Sequence, residues 1–215
     1  MSTKKLLAVY CVTAAMTTGT LKAADAGDPV FPIDLNNKAR AELLYENRQR
    51  DLDNDLRLKA DVFALRIHTD VGQYANLDFD IGMISPAGGS DEFYGGIGLR
   101  FLAYDSEYWR LSPYAQVHYA PRFRMGGVSY DDLIDADAGL LLACKLKLDQ
   151  QLTLMPYAGP VLSIVRIGGN DDPREDRVLG GVAGVSLLMP GNNTIRIEAQ
   201  YFDRVSVSAA AGIAF

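Results

Sequence analysis

Two groups of side chains in this 215-residue sequence have the chemistry to form a site: its two histidines, and its 21 basic and 27 acidic residues. His118 carries the imidazole that a hydrolase uses as a general base. Its candidate partners along the chain are Asp131, Asp132 and Ser112. No serine lies in a motif typical of an activated nucleophile, so we interpret His118 as a hydrogen-bonded structural residue and His68 as a turn residue.

The charged residues are informative because many of them alternate with apolar residues. In a β-strand, alternation places the charges on one face. Charges on an enclosed face must pair with one another because they cannot reach bulk water. We therefore predict a structural salt-bridge network inside a closed sheet, with a narrow ion-conducting path as the alternative. The predicted inward set is Arg40, Glu42, Glu46, Arg57, Lys59, Asp61, Asp78, Asp80, Arg100, Arg110, His118, Asp135, Asp137, Lys145, Lys147, Arg196 and Glu198.

Two acidic runs resemble cation-binding loops. Residues 51–55 have the alternating carboxylates of a calcium loop, but Leu56 and Val62 stand where an EF-hand loop needs glycine and glutamate. Residues 168–176 form the second run. We interpret both as solvated loop charge, with weak divalent bridging to lipopolysaccharide as the alternative, and predict neither a metal site nor a cofactor.

About ten alternating segments supply the elements that position these side chains. They cover residues 39–47, 56–68, 75–83, 93–103, 109–119, 136–148, 152–167, 178–189, 194–201 and 205–215. In the second segment Phe63, Leu65 and Ile67 interrupt the polar face, which either a bulge or a local apolar plug would explain. Connections after segments one, three, five and seven are longer or more charged, whereas those after segments four, six and eight are tight.

The first 26 residues have the composition of a cleaved leader. Lys4 and Lys5 precede an apolar run at residues 6–16, and small residues allow cleavage after Ala23 or Ala26. Residues 27–38, with two prolines, predict an extended lead-in. Removing residues 1–26 leaves 18 basic and 26 acidic residues of the original 21 and 27, a net charge near −8 that argues against nucleic acid as a partner. Cys144 is then the only cysteine, so no intramolecular disulfide can form.

The last segment, residues 205–215, alternates apolar and small residues and ends in Ile213-Ala214-Phe215. Together with the leader and the alternation over residues 39–215, this ending resembles the small bacterial outer-membrane β-barrel proteins, the class typified by the OmpA transmembrane domain and OmpX. The resemblance implies an all-β, up-and-down antiparallel transmembrane barrel of ten strands, or of eight, in a bacterial outer membrane. It also implies that Phe215 is the terminal signal read by the barrel assembly machinery.

The function expected for such a chain is a non-enzymatic structural or surface-interaction role, with outer-membrane lipids and lipopolysaccharide as partners. Three alternatives remain open from the sequence. The first is a narrow ion or small-solute channel, and the second is an outer-rim hydrolase that uses His118. The third is a soluble periplasmic barrel that binds lipid.

Overall fold

The computed structural model describes residues 39–53, 56–71, 74–149, 151–169, 174 and 178–215. Within them, ten long antiparallel strands form one closed sheet. The strands are β1 (Arg40–Asp51), β2 (Arg57–Asp70), β3 (Ala75–Pro86), β4 (Glu92–Phe101), β5 (Trp109–Pro121), β6 (Asp132–Cys144), β7 (Thr153–Gly168), β8 (Leu179–Met189), β9 (Asn193–Tyr201) and β10 (Val205–Ala214). The predicted up-and-down barrel of ten strands is therefore confirmed. The predicted leader and lead-in lie outside the described residues.

The sheet closes where β10 returns to β1. Their register runs from Arg40 opposite Ala214 to Asn47 opposite Val207, so the first and last strands pair antiparallel along most of their length. The alternation of residues 205–215 continues in the fold. Ser206, Ser208 and Ala210 are buried inside the barrel, whereas Ile213 is exposed on the outside. The small inward residues of β10 leave room for larger side chains from the strands on either side.

The two rims of the barrel differ. The terminal rim holds both ends of the described region and the connections at residues 71–74, 102–108, 145–152 and 190–192. The loop rim is the end from which the connections after β1, β3, β5, β7 and β9 leave, and among the described residues it holds 87–91, 122–131 and 202–204. Two-residue strands occur on both rims. At the terminal rim they are Tyr104–Asp105 and Leu146–Lys147, and at the loop rim Arg124–Met125 pairs with Val128–Ser129.

The distribution of side chains is the reverse of that in a soluble protein. Outward positions of the strands carry exposed apolar residues such as Phe63, Ile81 and Leu162, whereas arginines and carboxylates are buried inside. Soluble proteins do not expose a continuous apolar surface of this extent, but a barrel in a bilayer does. The described residues include no helix long and apolar enough to cross a membrane. The chain is an outer-membrane type of barrel, and the soluble periplasmic alternative is wrong.

Candidate functional site in the lumen

The lumen network begins with a cross-strand pair on β2 and β3. Arg66 donates from Nε and Nη2 to the two carboxylate oxygens of Asp80, each at 2.6 Å. His118 on β5 places its Nε2 2.7 Å from the same carboxylate, and its ring stacks on that of Tyr94 with centroids 5.0 Å apart. A guanidinium that forks onto one carboxylate is among the strongest hydrogen-bonded arrangements in proteins.

Arg48 forms a second centre next to the first. It donates from Nε to Glu46 Oε1 at 2.6 Å and from Nη2 to the hydroxyl of Tyr94 at 3.0 Å. It also forms a buried ion pair with Asp135 on β6, on the other side of the lumen. Tyr94 therefore joins the two centres, since it contacts both His118 and Arg48.

A third centre lies towards the terminal rim. His68 Nδ1 is 2.6 Å from Asp78 Oδ1, and its Nε2 is 3.3 Å from Glu42 Oε2. Asp78 also forms an ion pair with Arg100 of β4. Arg196 of β9 donates to Glu42 at 2.9 Å across the small inward face of β10. This centre therefore connects strands on both sides of the line where the barrel closes.

Arg50 lies at the loop-rim end of the network. It donates to Ser206 Oγ at 2.9 Å and to Gln200 Oε1 at 2.7 Å, and its guanidinium lies 4.2 Å from the ring centroid of Phe202. Nearer the terminal rim, the hydroxyl of Tyr157 on β7 donates to Oε2 of Glu198 on β9 at 2.5 Å. Polar side chains thus follow β9 and β10 through most of the depth of the barrel.

An apolar layer closes the lumen between this network and the loop rim. We use that name for the buried side chains of Leu52, Leu58, Ala60, Val62, Ile84, Ala120, Phe123, Met125, Leu133, Val165 and Ile167. Phe123 and Met125 come from the connection at residues 122–131, so this loop covers the end of the barrel. The layer differs from the local apolar plug considered for the second segment, because Phe63, Leu65 and Ile67 are exposed on the outside of the barrel and take no part in it. No bulge is needed, because burial alternates without a break along the first twelve residues of β2.

Five predicted lumen residues lie outside the lumen. Arg57, Lys59 and Asp61 point outwards, because Leu58, Ala60 and Val62 take the inward positions at this end of β2. Lys145 and Lys147 lie beyond the barrel wall, because β6 ends at Cys144. Lys145 instead bonds Asp105 and the carbonyl of Ser106 at the terminal rim. The structure places the remaining predicted residues inside the barrel: Arg40, Glu42, Glu46, Asp78, Asp80, Arg100, Arg110, His118, Asp135, Asp137, Arg196 and Glu198.

Four buried arginine and histidine residues of the described lumen lie outside the predicted set. Arg48 and Arg50 belong to β1, which continues to Asp51 instead of ending near Asn47. Continuing the alternation of that segment would have found them. Arg66 and His68 also point inwards, because the inward face of β2 is the opposite of the predicted one, and the interpretation of His68 as a turn residue is wrong.

His118 does not lie where an outer-rim base would be. Its ring is buried beneath the apolar layer, and its hydrogen-bond partner is Asp80 rather than Asp131, Asp132 or Ser112. The interpretation of His118 as a hydrogen-bonded residue agrees with these contacts.

The acidic runs are only partly described. Asp51 accepts hydrogen bonds from Arg57 at 3.0 Å and from Arg204 at 2.7 Å. Asp55 and the acidic residues at 171, 172, 175 and 176 lie outside the described residues. Among the residues that the structure does describe, no three histidine, cysteine, aspartate or glutamate side chains are grouped so as to hold a metal ion.

At the terminal rim, outside the membrane-spanning strands, Asp105 has a perturbed pKa. Burial acts to raise the pKa of this carboxyl group, but hydrogen bonds from Arg110 and Lys145 outweigh it and hold the pKa below its ordinary value. Arg110 donates from Nε at 3.2 Å and from Nη2 at 2.9 Å. This cluster fixes the short strand Tyr104–Asp105 to the end of the barrel.

Comparisons with known proteins find structural likeness only. No family model matches the sequence, and no curated protein matches it significantly. An outer-membrane channel from Pseudomonas putida F1 aligns with 89% of this chain and 100% of its own, at 11% identity and a TM-score of 0.49. The beta domain of the Bordetella autotransporter BrkA aligns with 84% of this chain and 99% of its own, at 13% identity and a TM-score of 0.45.

Likenesses this distant carry no conclusion about activity. The location follows from the closed barrel itself, with its apolar outer surface and charged interior. This chain is a bacterial outer-membrane barrel. The narrower resemblance to OmpA and OmpX stays a prediction.

Proposed function

We propose that this barrel neither conducts solutes nor catalyses a reaction, and that its role is structural or lies in surface interactions. The observation that carries the proposal is the burial of four arginines across the lumen. Arg48, Arg50, Arg66 and Arg196 have between 0% and 2% of their surface exposed. Because these side chains are packed so closely that water has almost no access to them, they oppose the passage of an ion at their level of the lumen.

The ion pairs keep this closed arrangement in place. A permeating ion would have to separate pairs such as Arg66 with Asp80 or Arg196 with Glu42, and breaking a buried pair costs about 3–5 kcal/mol. The apolar layer adds a second barrier at the loop rim. The closed lumen is therefore the resting state of the barrel.

The loop rim is the external one in this proposal. Its connections at residues 122–131 and 169–178 are the longest of the barrel, and outer-membrane barrels place short turns in the periplasm and longer loops outside. Lipopolysaccharide, outer-leaflet lipids and external partners would meet this rim. Phe215, whose backbone N–H donates to the carbonyl of Ala39 at 3.1 Å, stands exposed at the periplasmic rim as the assembly signal.

Planar-bilayer recordings test the closed lumen. We expect the refolded chain to show no discrete conductance steps, and Lys59→Gln, which changes a charge outside the barrel, to be equally silent. Arg50→Ala combined with Phe202→Ala removes two buried side chains beside β10 but leaves the apolar layer in place, so we expect this variant to be silent as well. Heat-modifiable gel mobility shows that each variant is folded. Discrete steps from the unmodified chain that change in Arg100→Gln would show a channel instead.

A separate assay tests for catalysis. We expect no turnover of peptides or lipid A by the folded chain. Turnover that disappears in a folded His118→Ala variant would contradict the non-enzymatic role and restore the hydrolase hypothesis.

A further inference from the structure

A cleft opens at the loop rim between the connections at residues 87–91 and 122–131. Its volume is about 490 Å³, within the range of pockets that bind small organic molecules. The residues that line it are Ser90, Glu92, Arg122, Arg124, Ser129, Tyr130 and Asp131. The cleft is separate from the lumen network, because the apolar layer lies between them.

The chain places both arginines on the cleft side by alternation. Phe123 and Met125 are buried in the apolar layer, so Arg122 and Arg124 are directed away from it and remain exposed. Arg122 has a φ of 56°, in the left-handed region that residues other than glycine rarely adopt. Backbone in such a conformation is held by its surroundings and is often found at binding sites.

Close contact between the two loops forms the cleft in advance. The N–H of Gly126 donates to the carbonyl of Ala87 at 3.4 Å. A Cβ atom on Gly89 would lie 2.0 Å from the carbonyl oxygen of Arg124, so only glycine allows the backbones to approach this closely. The arginines are therefore carried by a loop that is fixed both to its neighbour and to the barrel interior.

The two arginines make few contacts with the described side chains around them. Within the described residues, no ion pair involves the side chain of Arg122 or Arg124, and the side-chain bond of Arg124 is from its Nε to Ser129 Oγ at 3.1 Å. Glu92 accepts from Ser90 Oγ at 2.6 Å. Two guanidinium groups with hydroxyl groups beside them match the oxygens of a phosphate.

We propose that this cleft binds a phosphorylated sugar. The two arginines would hold the phosphate, and the carboxylates of Glu92 and Asp131 would accept hydrogen bonds from sugar hydroxyls. The same chemistry occurs in the phosphorylated headgroup of lipopolysaccharide and in a free sugar phosphate. This proposal deepens the surface-interaction role proposed above and depends on the loop rim being external.

Binding measurements with the full chain in detergent micelles test the proposal. The probes are purified lipopolysaccharide, the same lipopolysaccharide after phosphatase treatment, and glucosamine 1-phosphate. The variants are Arg122→Asn, since asparagine tolerates the left-handed backbone, and Arg124→Gln. Lys59→Gln is the matched control, because it removes one positive charge near the same rim from a side chain that does not line the cleft. Heat-modifiability shows that each chain is folded.

We expect each arginine variant to weaken binding of intact lipopolysaccharide about tenfold or more, and dephosphorylation to have a similar effect. Lys59→Gln should bind as the unmodified chain does. If glucosamine 1-phosphate competes at micromolar concentration, the ligand is a soluble sugar phosphate. If it does not compete, the ligand is the phosphorylated headgroup of a lipid. Unchanged affinity in both arginine variants, or an equal loss in Lys59→Gln, would overturn the proposal. Conductance of the same preparation is an independent readout, so a failed binding test leaves the closed lumen standing.

Discussion

Removing the charge of Asp80 tests whether the lumen network stabilises the barrel. Asp80→Asn keeps the shape of the side chain, but it leaves Arg66 buried opposite a neutral amide whose NH₂ group faces donors. The carboxylate accepts two hydrogen bonds of 2.6 Å from Arg66 and lies 2.7 Å from His118 Nε2. Loss of one partner of a buried ion pair costs about 3–5 kcal/mol, so we expect the free energy of unfolding to fall by that amount.

Urea unfolding in lipid vesicles measures the change. Trp109, the only tryptophan, lies on the outer surface at the start of β5, and its fluorescence reports when the strand leaves the lipid. Asp61→Asn is the matched control. Asp61 faces outwards and accepts hydrogen bonds from Tyr45 at 2.9 Å and Asn47 at 2.7 Å, and we expect a loss below about 1 kcal/mol there.

A double variant separates charge from packing. Arg66→Met with Asp80→Leu replaces the pair by apolar side chains, and we expect it to be more stable than Asp80→Asn alone. If the free energy of unfolding of Asp80→Asn lies within about 1 kcal/mol of that of the unmodified chain, the ion pair between Asp80 and Arg66 does not stabilise the barrel. A double variant as unstable as Asp80→Asn would show that the loss comes from shape and not from the unpaired charge.

Two further predictions concern packing and pH. A Cβ atom on Gly96 would lie 2.0 Å from Cδ2 of His118, so Gly96→Ala should lower the free energy of urea unfolding by about 1–3 kcal/mol. Gly181→Ala, whose nearest neighbouring atom is 3.8 Å away, should leave it unchanged, and equal losses in both would contradict the packing. Because the folded pKa of Asp105 is lowered, its stabilisation is present above the ordinary carboxyl pKa and is lost as the pH falls through the folded value. Amide hydrogen-exchange protection factors at residues 102–108, which correct for the slower intrinsic exchange at lower pH, should fall on acidification in the unmodified chain but not in Asp105→Asn, and identical pH profiles would refute this.

The sequence predicts the strands well because alternation over a whole segment depends on a physical constraint that acts at every position. Each residue of a strand in a bilayer faces either lipid or the interior, so its polarity reports its side. The ten predicted segments correspond to the ten strands. The largest errors in bounds are at β1, which continues to Asp51 instead of residue 47, and at β6, where Lys145 and Lys147 continue the alternation beyond the end of the strand at Cys144.

Whether the charged face of a strand points into the lumen or outwards is harder to predict than the alternation itself. The part of β2 that holds Arg57, Lys59 and Asp61 alternates regularly, but outwards it carries charge and inwards it carries the apolar layer. At that end of the strand the lumen is closed by apolar side chains, which reverses the usual rule for one half of the strand. Only the pairing with β1 and β3 and the loop that covers the rim settle the direction, and these are long-range features.

The sequence also does not predict which residues of the lumen network contact one another. Asp80 lies 38 residues before His118, and Glu42 lies 154 residues before Arg196. Alternation places such residues inside the same barrel but gives no information on which of them touch. The cleft between residues 87–91 and 122–131 is likewise a product of two loops meeting.

The buried contacts between β1 and the last two strands affect membrane insertion, because the chain is synthesised from β1 onwards. Glu42 and Arg50 lie on β1, the first strand to be synthesised, whereas their partners Arg196, Gln200 and Ser206 belong to the last two. Until those strands arrive, β1 carries charges that lipid cannot solvate. Membrane insertion is therefore favourable only for a chain whose final strands are present, and the buried charges discriminate against unfinished or truncated copies.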